Sequence, residues 1–307
     1  MEFEELYKKL WAEAPKYYTL IDEKSEPEFK WFYDHMLRPL KPGETWMVCL
    51  AAREKSLSEE ERKYYFLGRS EMMRESIVRF HHEGDPYKWL SEAIWAYNMD
   101  RHGLTTKNGL PYPDKTMMVY FTVNPCSSYE CVKDIKQRIA SEEGELVDAF
   151  VKGSFAGIDD HLYKMSKIFD HFKSVHAANP SEKLLLDFDV DIDFPSQLEE
   201  NTFFKSLSSA LVAVRKFKRG TFVFVRTAGG FHLTVKNEFF KQNPNEVVAF
   251  LEAFIKEHGF ETTEVKYNAN KLKKKGENGK VSSPMIPCPG TYQRGHLVYI
   301  VNKEDFE

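Results

Sequence analysis

Apolar and charged residues alternate most regularly in Leu184-Leu185-Leu186-Asp187-Phe188-Asp189-Val190-Asp191-Ile192-Asp193-Phe194. A period of two predicts a strand, whose successive side chains point to opposite faces. Asp187, Asp189, Asp191 and Asp193 therefore share one face. Leu186, Phe188, Val190, Ile192 and Phe194 share the other. A second alternating region, Val223 to Val235, is split by Gly229-Gly230 and predicts strand, turn, strand over 221–226 and 231–235. Apolar runs predict buried strands at 46–51 and 117–123, and further strands at 261–267 and 296–301. Helical periodicity covers 1–14, 27–39, 70–80, 86–97, 206–217 and 244–258, with two or three helices between 127 and 175. Ser58, with Glu61 three residues on, forms a capping box that starts one more helix, running to about 66. Strands are sparse early and frequent late. The pattern predicts an α/β (α+β) protein: a mainly helical part over 1–110 and a core over 111–307 built on a mixed or antiparallel sheet.

Composition narrows the class. The chain has 307 residues, 42% hydrophobic and 29% charged, enough for a sizeable core in a globular protein. A net charge of −4 excludes a polybasic nucleic-acid coat, so any such contact must come from a local patch. Aromatics reach 14%, which suits a large core or base-stacking surfaces. The scattered Cys49, Cys126, Cys131 and Cys288 suggest a reducing compartment, hence the cytoplasm. The acidic opening Met1-Glu2-Phe3-Glu4-Glu5 does not resemble a signal peptide. No apolar run approaches the ~20 residues of a membrane span.

Four like charges on one strand face repel, and a divalent cation among them would relieve the repulsion. The plainer reading is an exposed edge strand that uses charge against aggregation. His232 follows the glycine turn and faces opposite to Phe231 and Leu233, where a ring nitrogen could donate to a phosphate. Arg226, Thr227 and the backbone freedom of Gly230 could contribute to such a site; a purely structural histidine is the alternative. The stretch Ser282 to His296 holds three prolines and two glycines. Its Thr291, Gln293, Arg294 and His296 suit an anion, or simply decorate a rigid turn. Lys271, Lys273, Lys274 and Lys275 could touch nucleic-acid backbone, or form a solvated loop. Cys126-x4-Cys131 lacks a second ligand pair, so no zinc is expected. Gly276 to Val281 has the wrong spacing for a Walker A loop.

In this order, acidic strand, glycine-turn-His strand and Pro289-Gly290-Thr291 loop resemble the archaeo-eukaryotic primase superfamily, including its phage and plasmid primases and primase-polymerases. Leu186-Asp187-Phe188-Asp189 looks like its first motif and Thr227 to His232 like its second. The strand 118–125, closing on Asn124-Pro125, is similar to the phage branch. The motifs cover 180–300, and the first 110 residues match nothing in the family. The resemblance implies a primase-type core with an RRM-like C-terminal half. It implies two Mg²⁺ or Mn²⁺ ions on Asp187, Asp189 and a third acid. Glu264 is the candidate, although family members generally carry Asp there. His232 would bind the phosphates of NTPs or dNTPs, with Arg226, Thr227, Gly230 and Arg294 around it. Single-stranded DNA would be the template, with helicase activity on a separate chain and a cytoplasmic setting in a prokaryotic or phage-infected cell. Two rivals stand beside it. One is another metal-dependent enzyme, a nuclease or glycosyltransferase, since Asp-x-Asp also serves nucleotide-sugar chemistry. The other is an inactive nucleic-acid-binding module of the same fold.

Overall fold

The alternating run folds as the strand its period predicts, and two antiparallel sheets meet around it. The computed structural model describes residues 3–13, 18–53, 57–65, 71–72, 79–80, 110–154, 157, 181–268 and 285–306. They carry helices α1 (Phe3–Glu13), α2 (Glu26–Met36), α3 (Glu59–Tyr65), α4 (Ser128–Val151), α5 (Gln197–Ala213) and α6 (Pro244–Glu257). The early strands are β1 (Glu44–Thr45), β2 (Met47–Arg53), β3 (Glu71–Met72), β4 (Arg79–Phe80), β5 (Met117–Thr122) and β6 (Cys126–Ser127). The later ones are β7 (Leu185–Ile192), β8 (Phe222–Thr227), β9 (Gly230–Lys236), β10 (Thr262–Tyr267), β11 (Met285–Pro287), β12 (Tyr292–Gln293), β13 (His296–Leu297) and β14 (Tyr299–Ile300).

One sheet has the order β10-β7-β9-β8-β14, every pairing antiparallel. The run β7-α5-β8-β9-α6-β10 within it has the split βαβ connectivity of ferredoxin-like units. A second large sheet has the order β11-β5-β2-β3, with β4 also on β2, and β1-β6 and β12-β13 form two short pairs. β2 pairs with β5 from Val48↔Phe121 to Ala52↔Met117, so residues on both sides of position 110 share this sheet.

Two segments fold otherwise than their period predicts. The ends of the helix expected over 70–80 are strands instead, because the backbone edges of β2 take up Glu71–Met72 and Arg79–Phe80. Tertiary pairing overrides the local period. The strand expected over 296–301 is split at Val298, whose N–H and C=O turn to Thr291 and Gly290. The expected helix at 86–97 lies outside the described residues. The Ser58–Glu61 box forms as expected, with Ser58 N–H on Glu61 at 2.8 Å and Glu61 N–H on Ser58 Oγ at 3.2 Å.

Each face of the β7 sheet has its own job. Leu186, Phe188, Val190 and Ile192 pack against Phe203, Phe204 and Leu207 of α5 and Leu251 and Ile255 of α6, all buried. Each such side chain contributes roughly 1.5–3 kcal/mol. On the opposite face, Leu185, Val223 and Val225 join the core of the other sheet, with Trp46, Val48, Phe121 and the α2 residues Phe29 and Phe32. Beyond Leu185 that same face turns acidic, and there it lines a cleft. Among the described residues no helix is long and apolar enough to cross a membrane.

Candidate active site

The cleft is set by the register of three strands. β8 and β9 join through Ala228-Gly229, pairing Thr227↔Gly230, Arg226↔Phe231 and Val225↔His232. β7 then pairs Asp187↔Thr234, Asp189↔His232 and Asp191↔Gly230. Directly opposed residues of an antiparallel pair share a face. His232 therefore stands among the aspartates. Gly230 allows β7 and β9 to close, since a Cβ there would lie 1.9 Å from the Val190 carbonyl oxygen, at a φ of +152°.

Asp187 has no exposed surface. His232 Nδ1 lies 3.1 and 3.0 Å from its two carboxylate oxygens. Asn268 Nδ2 donates to it at 2.6 Å and Thr234 Oγ1 at 3.4 Å. The other ring nitrogen, His232 Nε2, is 3.5 Å from Asp189 Oδ1. Lys266 Nζ is 3.1 Å from Asp189 and 2.7 Å from Glu264. Burial alone would push the His232 pKa down; the carboxylates of Asp187 and Asp189 outweigh it and raise it to about 9. Burial would likewise raise the Asp189 carboxyl, but His232, Lys266 and Arg53 together hold it below its ordinary value.

The cleft measures about 580 Å³. One wall carries Asp189, Asp191, Asp193, His232, Lys266 and the turn Thr227-Ala228-Gly229. The facing wall carries Arg53 of β2, Arg62 of α3, Met118 and Tyr120 of β5, and Met285 and Pro287 of β11. Arg53 Nη1 donates to the Tyr120 hydroxyl at 2.8 Å. Arg294 enters from the β12–β13 turn with a φ of 56°, a left-handed backbone uncommon for a bulky residue. A Cβ on Gly229 would come within 2.9 Å of Arg294 Nη2. Gln293 Oε1 accepts from Ala228 N–H at 3.0 Å and ties the Pro-Gly-Thr loop to the glycine turn. Thr291 of that loop is buried and donates to the Cys288 carbonyl, so it shapes the loop rather than facing the cleft.

The expected site residues are not all brought together. Asp189, Thr227, His232 and Arg294 line the cleft, and Asp187 sits directly behind His232. Glu264 shares the face of β10 that carries Lys266 and is opposite Asp191, but it is half-exposed, held by Lys266, and does not line the cleft. Arg226 is on the wrong face. It pairs with Phe231, bonds Glu200 at 3.0 Å and the Gly230 carbonyl at 2.7 Å, and lies over Phe194. It braces the turn from behind instead of reaching a phosphate in the cleft. Lys271, Lys273, Lys274 and Lys275 lie outside the described residues.

Sequence reasoning missed Arg53, Arg62, Tyr120, Lys266 and Asn268. Alternation from Glu264 could have found Lys266; the cations of the facing wall carry no local signal. Among the described residues, no group of three or more His, Cys, Asp or Glu side chains gathers in metal-holding geometry. Set against protein-family models, curated proteins and solved structures, the chain has no match.

Proposed function

We propose that the cleft is the active site of a nucleotidyltransferase that makes short primers on single-stranded DNA, as in the primase superfamily its motifs resemble. One observation carries the reading. Carboxylates, a histidine and a glycine turn share one wall, and arginines face them across a cleft of about 580 Å³. Such mixed charge suits a metal-bound nucleoside triphosphate better than either ion alone. A cleft with only acids would repel the phosphates, and one with only cations would not hold a metal.

The donor set is all carboxylate oxygen on this face, which fits hard cations such as Mg²⁺ or Mn²⁺. The Lys266 ammonium between Asp189 and Glu264 is already a cation bridging two of these acids. Asp189 is the carboxylate best placed to hold a metal, with Asp191 beside it on the cleft wall and Glu264, outside the cleft lining, on the neighbouring strand. Bound divalent ions would lower the pKa of an attacking 3′-hydroxyl and offset charge on the leaving pyrophosphate. The chain's own groups do the rest. His232 Nε2 and Arg294 would bind β- and γ-phosphates as hydrogen-bond donors. Gly229 lets a phosphate approach the turn backbone. Arg53 and Arg62 would hold the template or the triphosphate from the opposite wall. This placement orients the α-phosphate for in-line attack, the largest share of catalysis in phosphoryl transfer.

The test is synthesis on unprimed single-stranded DNA with labelled NTPs or dNTPs and Mg²⁺ or Mn²⁺. Wild type should make short products and Asp189→Ala none. Products only from an added primer would make it a polymerase rather than a primase. DNA binding indifferent to metal, without synthesis, would favour the inactive binding module.

A further inference from the structure

We propose that Asp187 is not a metal ligand but the residue that orients His232, holding its Nδ1–H so that Nε2 faces the cleft. The inference rests on the nucleotidyl-transfer reading for what His232 then does, and on geometry alone for what Asp187 does.

Three observations carry it. First, Asp187 has no exposed surface, whereas Asp189 next along the same face opens to the cleft. A cation would have to enter the interior of the sheet to reach Asp187. Second, its oxygens are already in use. His232 Nδ1 spans both, Asn268 Nδ2 holds one at 2.6 Å, and Thr234 reaches the other at 3.4 Å. A carboxylate has about four acceptor positions, and three donors fill most of them. Third, the donors come from both neighbouring strands. Thr234 is opposite Asp187 on β9, and the N–H of Asn268, just past β10, bonds the Asp187 carbonyl at 2.9 Å. The carboxylate is fixed from two sides before any ligand arrives.

A carboxylate on one ring nitrogen fixes the orientation of a histidine and decides which nitrogen faces its target. With Nδ1 tied inward, Nε2 points toward Asp189 and the cleft. Asn268 and Thr234 thus become positioning residues at one remove: they hold the carboxylate that holds the ring. The cation-facing acids of the strand are then Asp189 and Asp191, one step further along than the Asp187–Asp189 pair that the motif suggests.

The test uses the full chain and needs no synthesis. In proton NMR, wild type should show a downfield, slowly exchanging His232 Nδ1–H signal, assigned by its absence in His232→Gln. Asp187→Asn should erase it and Asp189→Asn should keep it. Saturating Mg²⁺, which is diamagnetic, should leave it in place. In a Mn²⁺ titration read by electron paramagnetic resonance, Asp187→Asn should keep affinity within about threefold, while Asp189→Asn loses about tenfold or more. A signal that survives Asp187→Asn, or one that Mg²⁺ abolishes as the carboxylate turns to the metal, overturns the proposal. So does equal loss of Mn²⁺ in the two variants. Should Asp187→Asn not fold, the Mg²⁺ arm on wild type decides. If wild type takes up no Mn²⁺ at all, the metal part of the functional reading fails, and the Nδ1–H signal still decides the role of Asp187.

Discussion

Gly230 shows how little freedom the site leaves at a single residue. A Cβ would meet the Val190 carbonyl oxygen at 1.9 Å, and the φ of +152° already disfavours any side chain. Gly230→Ala should cost on the order of 3 kcal/mol in chemical denaturation, because β7 and β9 must separate where Asp191 faces Gly230. An unchanged midpoint would mean that the strands do not approach this closely. Arg226 makes the opposite point. Glu200 is buried beside the partly exposed Arg226 and also accepts from Tyr299 at 2.6 Å. Arg226→Met should therefore lose about 2–3 kcal/mol of stability, the cost of leaving a buried carboxylate without its cation. If Arg226 instead served a phosphate, the same change would weaken nucleotide binding and leave stability alone. Its true side was legible in the sequence. Any two-residue turn at Ala228-Gly229 or Gly229-Gly230 pairs Arg226 with Phe231 or Leu233, never with the face of His232.

At the scale of elements, the acidic strand and the His strand could be read from sequence because each carries an unbroken period of two. The start of α5 could also have been read. Ser196 Oγ caps Glu199 N–H at 3.3 Å, a Ser-x-x-Glu box well before the expected start at 206. The short pairings of β3 and β4 with β2 could not, because a two-residue strand has no period and exists only through its partner. On β10, Lys266 pairs with Asp189 at 3.1 Å, so on the proposed reading a metal would have to compete with it there. Lys266→Met should raise Mn²⁺ affinity by roughly three- to fivefold in calorimetry, matching an ion pair of about 1 kcal/mol. A fall would mean that Lys266 assists binding instead.

Over the whole molecule, the cleft exists because one face of the β7 sheet is apolar at Leu185, Val223 and Val225 and acidic beyond. The acidic half of that face was legible; the wall it meets was not. Arg53 and Tyr120 come from strands far away in sequence, and only tertiary packing brings them opposite Asp189.

A second polar knot spans this distance. Glu44 on β1 takes two bonds from Arg38 after α2, at 2.7 and 2.9 Å, and one from Ser181, shortly before β7, at 2.6 Å. Burial raises its carboxyl, but Arg38 and Ser181 outweigh this and bring it to about 2. A depressed folded-state value stabilises above the unfolded value and is lost as pH falls through the folded one. Thermal melts should therefore lose up to about 3 kcal/mol between about pH 4.5 and pH 2 from this group. Glu44→Gln should flatten that slope. An unaltered acid profile in the variant would place the acid sensitivity elsewhere.

On the proposed reading, the acidic face, His232 and the glycine turn together hold a nucleoside triphosphate and its metal. A crystal grown with Mn²⁺ and a non-hydrolysable nucleoside triphosphate tests it most directly. Anomalous scattering should put Mn²⁺ on Asp189, with phosphate oxygens within hydrogen-bond distance of His232 Nε2 and Arg294 and the base in the cleft toward Tyr120. Density for the nucleotide anywhere else, or Mn²⁺ absent from Asp189 at saturating nucleotide, would rule this out.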